Sequence, residues 1–409
     1  MKKFLAVGAL AVVAASVSFV VVASADDGRR AVRSGGDEPV TLAIYGDAPY
    51  SNVAADYTKT PPNETGQLDA TPAFIDAVNA DRKVKLVLFA GDIHSGKQPC
   101  TFAYDRTIAQ LWANFRDPLI YTPGDNEWTD CHKPGEGGNV PVPAGSGNYV
   151  DYANGDPVAN LGLVRQLFFP EPGKTLGGER KRVVSQAQID DPAHPTDAEY
   201  VENVMWEQAG VLFVTVNIPG GSNNDADPWY GAAETGEQAQ ERQQRTQADL
   251  RWLDAAFAQA AADHVAGIVI LEQADMWDLD SKPLNPAPNH IAGYEPFITK
   301  IAEKTLEFAK PVLLFNGDSH IYRSDNPLVN DAPCLTETGI CTDTAISLGD
   351  AYDTHPALNT LNVPNFHRIA VHGSTLPFEY LRVTINTKRP PAPGPTSFGP
   401  FSWERVQPS

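Results

Sequence analysis

Apolar residues fall in short unbroken runs separated by long polar stretches. Residues 86–90, Leu-Val-Leu-Phe-Ala, are one such run. Their branched and aromatic side chains predict a strand buried on both faces. Residues 40–45, 118–122, 211–217, 267–271 and 312–316 read the same way, and 204–206 form a shorter strand. Between strands the period changes to that of a helix. Phe74, Ile75 and Val78 recur behind Thr71-Pro72, an N-cap with proline at the first helical position. Residues 101–115 place Phe102, Ile108, Leu111 and Trp112 inward, and 161–169 and 298–309 predict two further helices. The longest helix is expected over 234–262, with Leu250, Leu253 and Phe257 inward and its Gln and Arg residues outward. The chain thus begins β-α-β-α-β, the alternation of a parallel sheet flanked by helices. Residues 175–198 are polar with hairpin character, and 132–156 form a long Gly-, Pro- and Asn-rich loop. Residues 367–372 and 378–386 alternate as antiparallel strands do.

The strand ends carry the candidate chemistry. Four apolar strands run into Gly-Asp: Gly46-Asp47, Gly91-Asp92-Ile93-His94, Gly124-Asp125-Asn126-Glu127 and Gly317-Asp318-Ser319-His320. A fifth, 267–271, ends at Glu272-Gln273. Ligands of open α/β sheets bind at the carboxyl ends of strands. Divalent metals need several oxygen or nitrogen donors converging on one point, and parallel strands ending at one edge supply that convergence.

Composition narrows the setting. With 42% hydrophobic and 20% charged residues over 409 positions, the chain has a core to bury. A net charge of -20 argues against nucleic acid, whose backbone needs clustered Lys and Arg. Residues 1–25 read as a secretory signal peptide: Lys2 and Lys3, an apolar stretch over 4–22, then Ala23-Ser24-Ala25. An uncleaved membrane anchor is the rival reading. Residues 26–39 read as a linker, 40–387 as one domain, and 388–409 as an extended Pro-rich tail. Export makes the four cysteines readable as disulfides, and four allow three connectivities. We expect Cys100–Cys131, tying the loops of Asp92 and Asp125, and Cys334–Cys341.

The ordered strand-end motifs resemble the calcineurin-like metallophosphoesterase family, which includes the purple acid phosphatases. The resemblance implies a mixed α/β (α+β) fold: a four-layer β-sandwich flanked by helices, holding two metals. It implies Asp47, Asp92 and His320 as ligands, with Asp92 as the bridge. Asp125 or Asn126, Asp318, and Glu272 or Gln273 follow by position. The departures are specific. Pro49 stands where a His or Gly is expected, Asp125 where a ligand Asn would be, and Asn126 where a proton-donating His would be. Glu272 or Gln273 replaces one ligand His, and Asp318 another. His94 is then the candidate proton donor beside Asn126. Tyr322 and Arg323 are candidates to bind a substrate phosphate. Tyr50, Trp128 and Trp277 are candidates to wall a pocket.

The resemblance thus implies a hydrolase of a small phosphate ester, working by metal-activated water, and the signal-like residues 1–25 make it an exported one. Its cofactors would be two divalent ions among Mg, Mn, Ca, Fe and Zn. The oxygen-rich donor set suits Mg, Ca or Mn ahead of Zn. The alternative is an exported binding protein that keeps the fold and has lost hydrolysis.

Overall fold

The computed structural model describes residues 32–34, 36, 38–50, 66–136, 155–224, 228–230, 233–277, 290–329, 332–340 and 358–408. The expected signal peptide, residues 1–25, lies outside the described residues, and so does most of the loop over 132–156.

Two mixed sheets form the centre. In chain order the first contains β1 (Val40–Tyr45), β2 (Val84–Phe89) and β3 (Pro118–Tyr121). The second contains β4 (Val204–Gln208), β5 (Val211–Thr215), β6 (Gly267–Leu271), β7 (Val312–Asn316), β8 (Arg323–Asp325) and β9 (Phe366–Ala370). The chain then returns to the first sheet with β10 (Tyr380–Ile385) and β11 (Phe401–Val406). Strand order is β11-β10-β1-β2-β3 in the first sheet and β4-β5-β6-β7-β9-β8 in the second. β1, β2 and β3 run parallel, as do β5, β6, β7 and β9. All of these parallel strands therefore end on one side of their sheet.

The unbroken apolar runs follow from having both faces covered. Along β1, Leu42 and Ile44 point into the layer between the sheets, where they meet Phe213, Leu313 and Phe315. Ala43 and Tyr45 point outward, under helices α1 (Gln67–Ala80), α2 (Phe102–Trp112) and α3 (Pro157–Phe168). The outer face of the second sheet is covered by α4 (Gly236–Ala262) and α5 (Glu295–Phe308). The layers are helix, sheet, sheet, helix, as the resemblance implied. Each fully buried aliphatic or aromatic side chain contributes about 1.5–3 kcal/mol relative to exposure. The inter-sheet layer is thus the rigid frame on which the strand ends are hung.

Several expectations change. The segment over 388–409 is no loose tail: β11 pairs with β10 along its length and buries Phe401 and Trp403 between the sheets. Proline richness stops at 395, and the Phe-Ser-Trp alternation behind it is that of a half-buried strand. Residues 32–34, within the expected linker, pair in parallel with β4. α1 starts one turn before Thr71, because Gly66 turns the chain at φ 91° and the buried Gln67 opens the helix. Phe102 is exposed at the start of α2. On α4, Arg245 and Gln238 are buried rather than outward. Arg245 lies over the ring of Trp128 and bonds to Glu241, so its charge is compensated. β9 runs parallel to β7 and antiparallel to β8.

Candidate metal centre

The strand ends converge across the sandwich. Asp47 follows β1 and Asp92 follows β2, with Asp47 N–H donating to Gly91 O at 2.9 Å. Asp125 and Asn126 follow β3. Asp318 and His320 follow β7, and Asp318 N–H donates to Asp47 Oδ1 at 2.9 Å, linking the two sheets. Asp47, Asp92, Asp318 and His320 all have positive φ, between 49° and 72°. Non-glycine residues pay strain for that region, and such strain collects where function needs it. Space is equally constrained. A Cβ on Gly124 would stand 2.0 Å from Asp92 Oδ1, so only glycine lets β3 approach this carboxylate.

Two donor groups form, each with ligand atoms within 4.8 Å of one another: Asp47, Asp92 and His320, and Asp92, Asp125 and Asp318. Asp92 belongs to both. Burial pushes the carboxyl groups of Asp47 and Asp92 well above the ordinary range. Neighbouring negative charges add to this, Asp125 first at Asp92. Among the described residues, no lysine or arginine pairs with Asp47, Asp92, Asp125 or Asp318. Asp47 Oδ2 is buried with no hydrogen-bond partner. Buried carboxylates at this density need a cation, and the donor types present suit a divalent metal.

A family model described as calcineurin-like phosphoesterase matches residues 41–250. The chain belongs to that family. The matched segment holds Asp47, Asp92, Asp125 and Asn126 and stops before Gln273 and His320. No curated protein matches the chain. Among solved structures it is similar to a purple acid phosphatase from yellow lupin (Lupinus luteus) seeds, at 12% identity and a TM-score of 0.38. That match covers 87% of this chain and 50% of the lupin protein, so the chain spans about half of that relative's length.

The other candidate residues divide clearly. Asn126 is at the centre: its N–H lies 3.3 Å from Asp92 Oδ1 and its Nδ2 donates to His94 O at 2.9 Å. Gln273 is also present, but as a donor, with Nε2 2.8 Å from Asp125 Oδ1 and 3.1 Å from Asp92 Oδ2. Glu272 is on the opposite face of the same strand end, as alternation requires. Its carboxyl is buried with neither oxygen hydrogen-bonded, and burial, with the charge of Asp275 adding and that of Arg368 opposing, pushes its pKa up. It belongs to neither donor group.

His94 is fully buried, with Nδ1 3.2 Å from Ser95 O, and burial lowers its pKa to about 4. A neutral ring packed against Tyr104, its one N–H turned to Ser95 O, is a poor general acid near neutral pH. Tyr322 is a core residue whose hydroxyl accepts from Trp403 Nε1 at 2.9 Å, and Arg323 Nε is bound to Asp325 at 2.6 Å. Tyr322 is thus buried, and Arg323 is half-buried beside Asp325. Trp128 and Trp277 are buried under Arg245 and Arg368.

Tyr50 is the residue whose place was understated by sequence reasoning. Its hydroxyl lies 2.8 Å from His320 Nε2, 3.4 Å from Asp92 Oδ2 and 3.4 Å from Asn126 Nδ2. Its N–H donates to Gln67 Oε1 at 2.6 Å, so the buried opening residue of α1 holds it there. Glu127 is a second such residue. Its Oε1 accepts from Gly124 N–H at 2.7 Å and Tyr121 OH at 2.5 Å, fixing the turn that aims Asp125. Adjacency in sequence was the only signal for either.

The Cys100–Cys131 disulfide is formed and ties the loop after Asp92 to the loop after Asp125. Cys334 is also disulfide-bonded. Cys341, its expected partner, lies outside the described residues. Replacing Cys100 and Cys131 together by alanine is expected to cost about 2–4 kcal/mol and to weaken metal retention. Chemical denaturation with and without added metal reads both effects. An unchanged midpoint would reject the bridge as a support of the site.

Proposed function

We propose that this calcineurin-like phosphoesterase is an exported, metal-dependent hydrolase of small phosphate esters, with a dinuclear centre. The observation that carries the reading is the sharing of Asp92 between two donor groups. A carboxylate has two oxygens and bridges two cations spaced about 3.5–4 Å apart. Asp47 and His320 would complete one position, Asp125 and Asp318 the other. When bound, a pair of divalent ions polarises a phosphoryl oxygen and makes water nucleophilic at neutral pH.

The chain's own residues bind and orient. Tyr50 OH is a buried donor aimed at the centre, and burial raises its pKa, so it keeps its proton. Asn126 Nδ2 donates to His94 O and lies 3.4 Å from Tyr50 OH, so the amide is fixed beside the centre and positions Tyr50. His320 is partly exposed, so the ester approaches from its side. Export is supported by the signal-like pattern of residues 1–25 and by the Cys100–Cys131 bridge. Among the described residues, no helix is long and apolar enough to cross a membrane.

A second reading, an exported binding protein without turnover, is favoured by Asn126 and His94. An amide does not titrate and the imidazole is buried as a neutral ring. The two readings part on one experiment. Metal content is measured on purified protein, with hydrolysis of aryl phosphate mono- and diesters under added Mg, Mn, Ca, Fe or Zn. Metal-dependent turnover supports the hydrolase, and bound metal with no turnover on any ester supports the binding protein.

A pH series adds an independent reading. The folded-state pKa values of Asp47 and Asp92 are raised above their unfolded values of about 3.9. In metal-free protein these groups therefore destabilise the fold once pH rises above the unfolded value, and protonation relieves it. Bound cations reverse this, and protons compete with them. The rise in Tm caused by metal should thus shrink steadily from about pH 8 to about pH 5. His94 and His367, both with pKa lowered to about 4 by burial, weigh on the loaded and metal-free curves alike. A metal-induced shift that does not vary with pH would sink the assignment of buried carboxylate ligands.

A further inference from the structure

Gln273 stands at the end of β6, where the resemblance expects a ligand nitrogen, and its amide orientation is determined by its surroundings. Gly220 N–H lies 2.6 Å from Gln273 Oε1. A backbone N–H only donates, so the carbonyl end of the amide faces Gly220 and the NH2 end faces the carboxylates. Nε2 then donates to Asp125 Oδ1 and Asp92 Oδ2, two of the three carboxylates of the second donor group. The stem has no room to swing. A Cβ on Gly91 would stand 2.4 Å from Gln273 Cγ and one on Gly124 2.8 Å from it, and the side chain is fully buried.

In the first donor group the clamp reaches only the shared Asp92 and leaves Asp47 and His320 untouched. Tyr50 OH touches both His320 Nε2 and Asp92 Oδ2, and a hydroxyl is a rotor, so this contact can re-form around a cation where the fixed amide of Gln273 cannot. Asp47 Oδ2 has no partner to give up.

We infer that Gln273 makes the two metal positions unequal. The Asp47–Asp92–His320 position fills first and tightly. The Asp92–Asp125–Asp318 position binds its cation weakly, because the Gln273 NH2 already occupies two of its carboxylates and offers no lone pair in return. This rests on the dinuclear reading proposed above.

The test is titration of the metal-stripped full chain with Mn(II) by calorimetry, with electron paramagnetic resonance to count bound ions. Wild type is expected to bind one Mn(II) tightly and a second at least about tenfold more weakly. Gln273→Glu is close to isosteric, keeps an acceptor for Gly220 N–H and turns the clamp into a ligand. It should tighten the second position by about 10–100-fold and change the first far less. Without metal, the same variant should have a lower Tm than wild type, because a fourth carboxylate then joins the three of the second donor group. Gln273→Leu removes the NH2 without adding a donor and should also narrow the gap. Two equally tight sites in wild type, or a gap that neither variant narrows, would overturn the inference. Failure to bind any Mn(II), or binding that survives Asp92→Ala, would overturn instead the dinuclear reading beneath it.

Discussion

Asp92→Ala is expected to abolish metal retention at both positions and to lower phosphoester turnover by at least about 10²–10³-fold, the scale on which loss of one charge-stabilising group acts. The reason is positional. Among the described residues Asp92 is the member common to both donor groups, so its loss takes a ligand from each. The same change should leave the metal-free fold intact or make it more stable. Burial and the charges of Asp125, Glu127, Asp47 and Asp318 all oppose ionisation of this carboxyl, and removing it relieves that opposition. Metal analysis, turnover and metal-free Tm are measured on one preparation. A folded variant that keeps two metals, or keeps wild-type turnover, would remove Asp92 from the centre.

Arg368→Met is expected to produce the largest loss of stability away from the metal, about 3–5 kcal/mol, as for breaking a buried ion pair from one side. Arg368 is fully buried on β9. Its Nε and one terminal nitrogen grip Asp325 at 2.8 and 2.9 Å, and the other terminal nitrogen bonds to Asp275. Burial alone would raise the pKa of Asp325, but the charges of Arg368 and Arg323 outweigh it and hold it down to about 2. A depressed carboxyl contributes stability above its unfolded value of about 3.9 and loses it as pH falls through its folded one. The effect of the substitution is therefore fully expressed at neutral pH. It should also reach the centre, because Asp275 N–H donates to Asp318 Oδ2 at 3.0 Å. Urea denaturation at pH 7 measures the first effect and metal affinity the second. A loss below about 1 kcal/mol would place the pair among weak surface bridges.

The two predictions draw on different kinds of information. Asp92 was legible in the sequence because an apolar run ending in Gly-Asp recurs at Asp47, Asp125 and Asp318, and a strand end is a place that a local pattern marks. Arg368 was not legible. It sits inside a strand that alternation marks only as half-buried, and its partners Asp275 and Asp325 are 93 and 43 residues away. The same limit explains Gln273 and Glu272. Position marked both, but which one faces the carboxylates depends on the register and pleat of β6 against β7. His94 shows the opposite error. Its spacing from Asp92 suggested a shared site, while packing turned the ring into the protein and left only its carbonyl to hold Asn126.

What the sequence determined by itself was local and periodic. Most strands and helices, the order of the motifs and the acidic character of the strand ends follow from spacing along the chain. What only the tertiary structure decided was the set of contacts between segments far apart in sequence. It placed Tyr50 against His320, set Gln273 between Asp92 and Asp125, and returned β11 to the first sheet beside β10. The physical reason is that periodicity reports which face of an element is buried, whereas the direction of a polar group is chosen by whichever partner satisfies it once that face is closed.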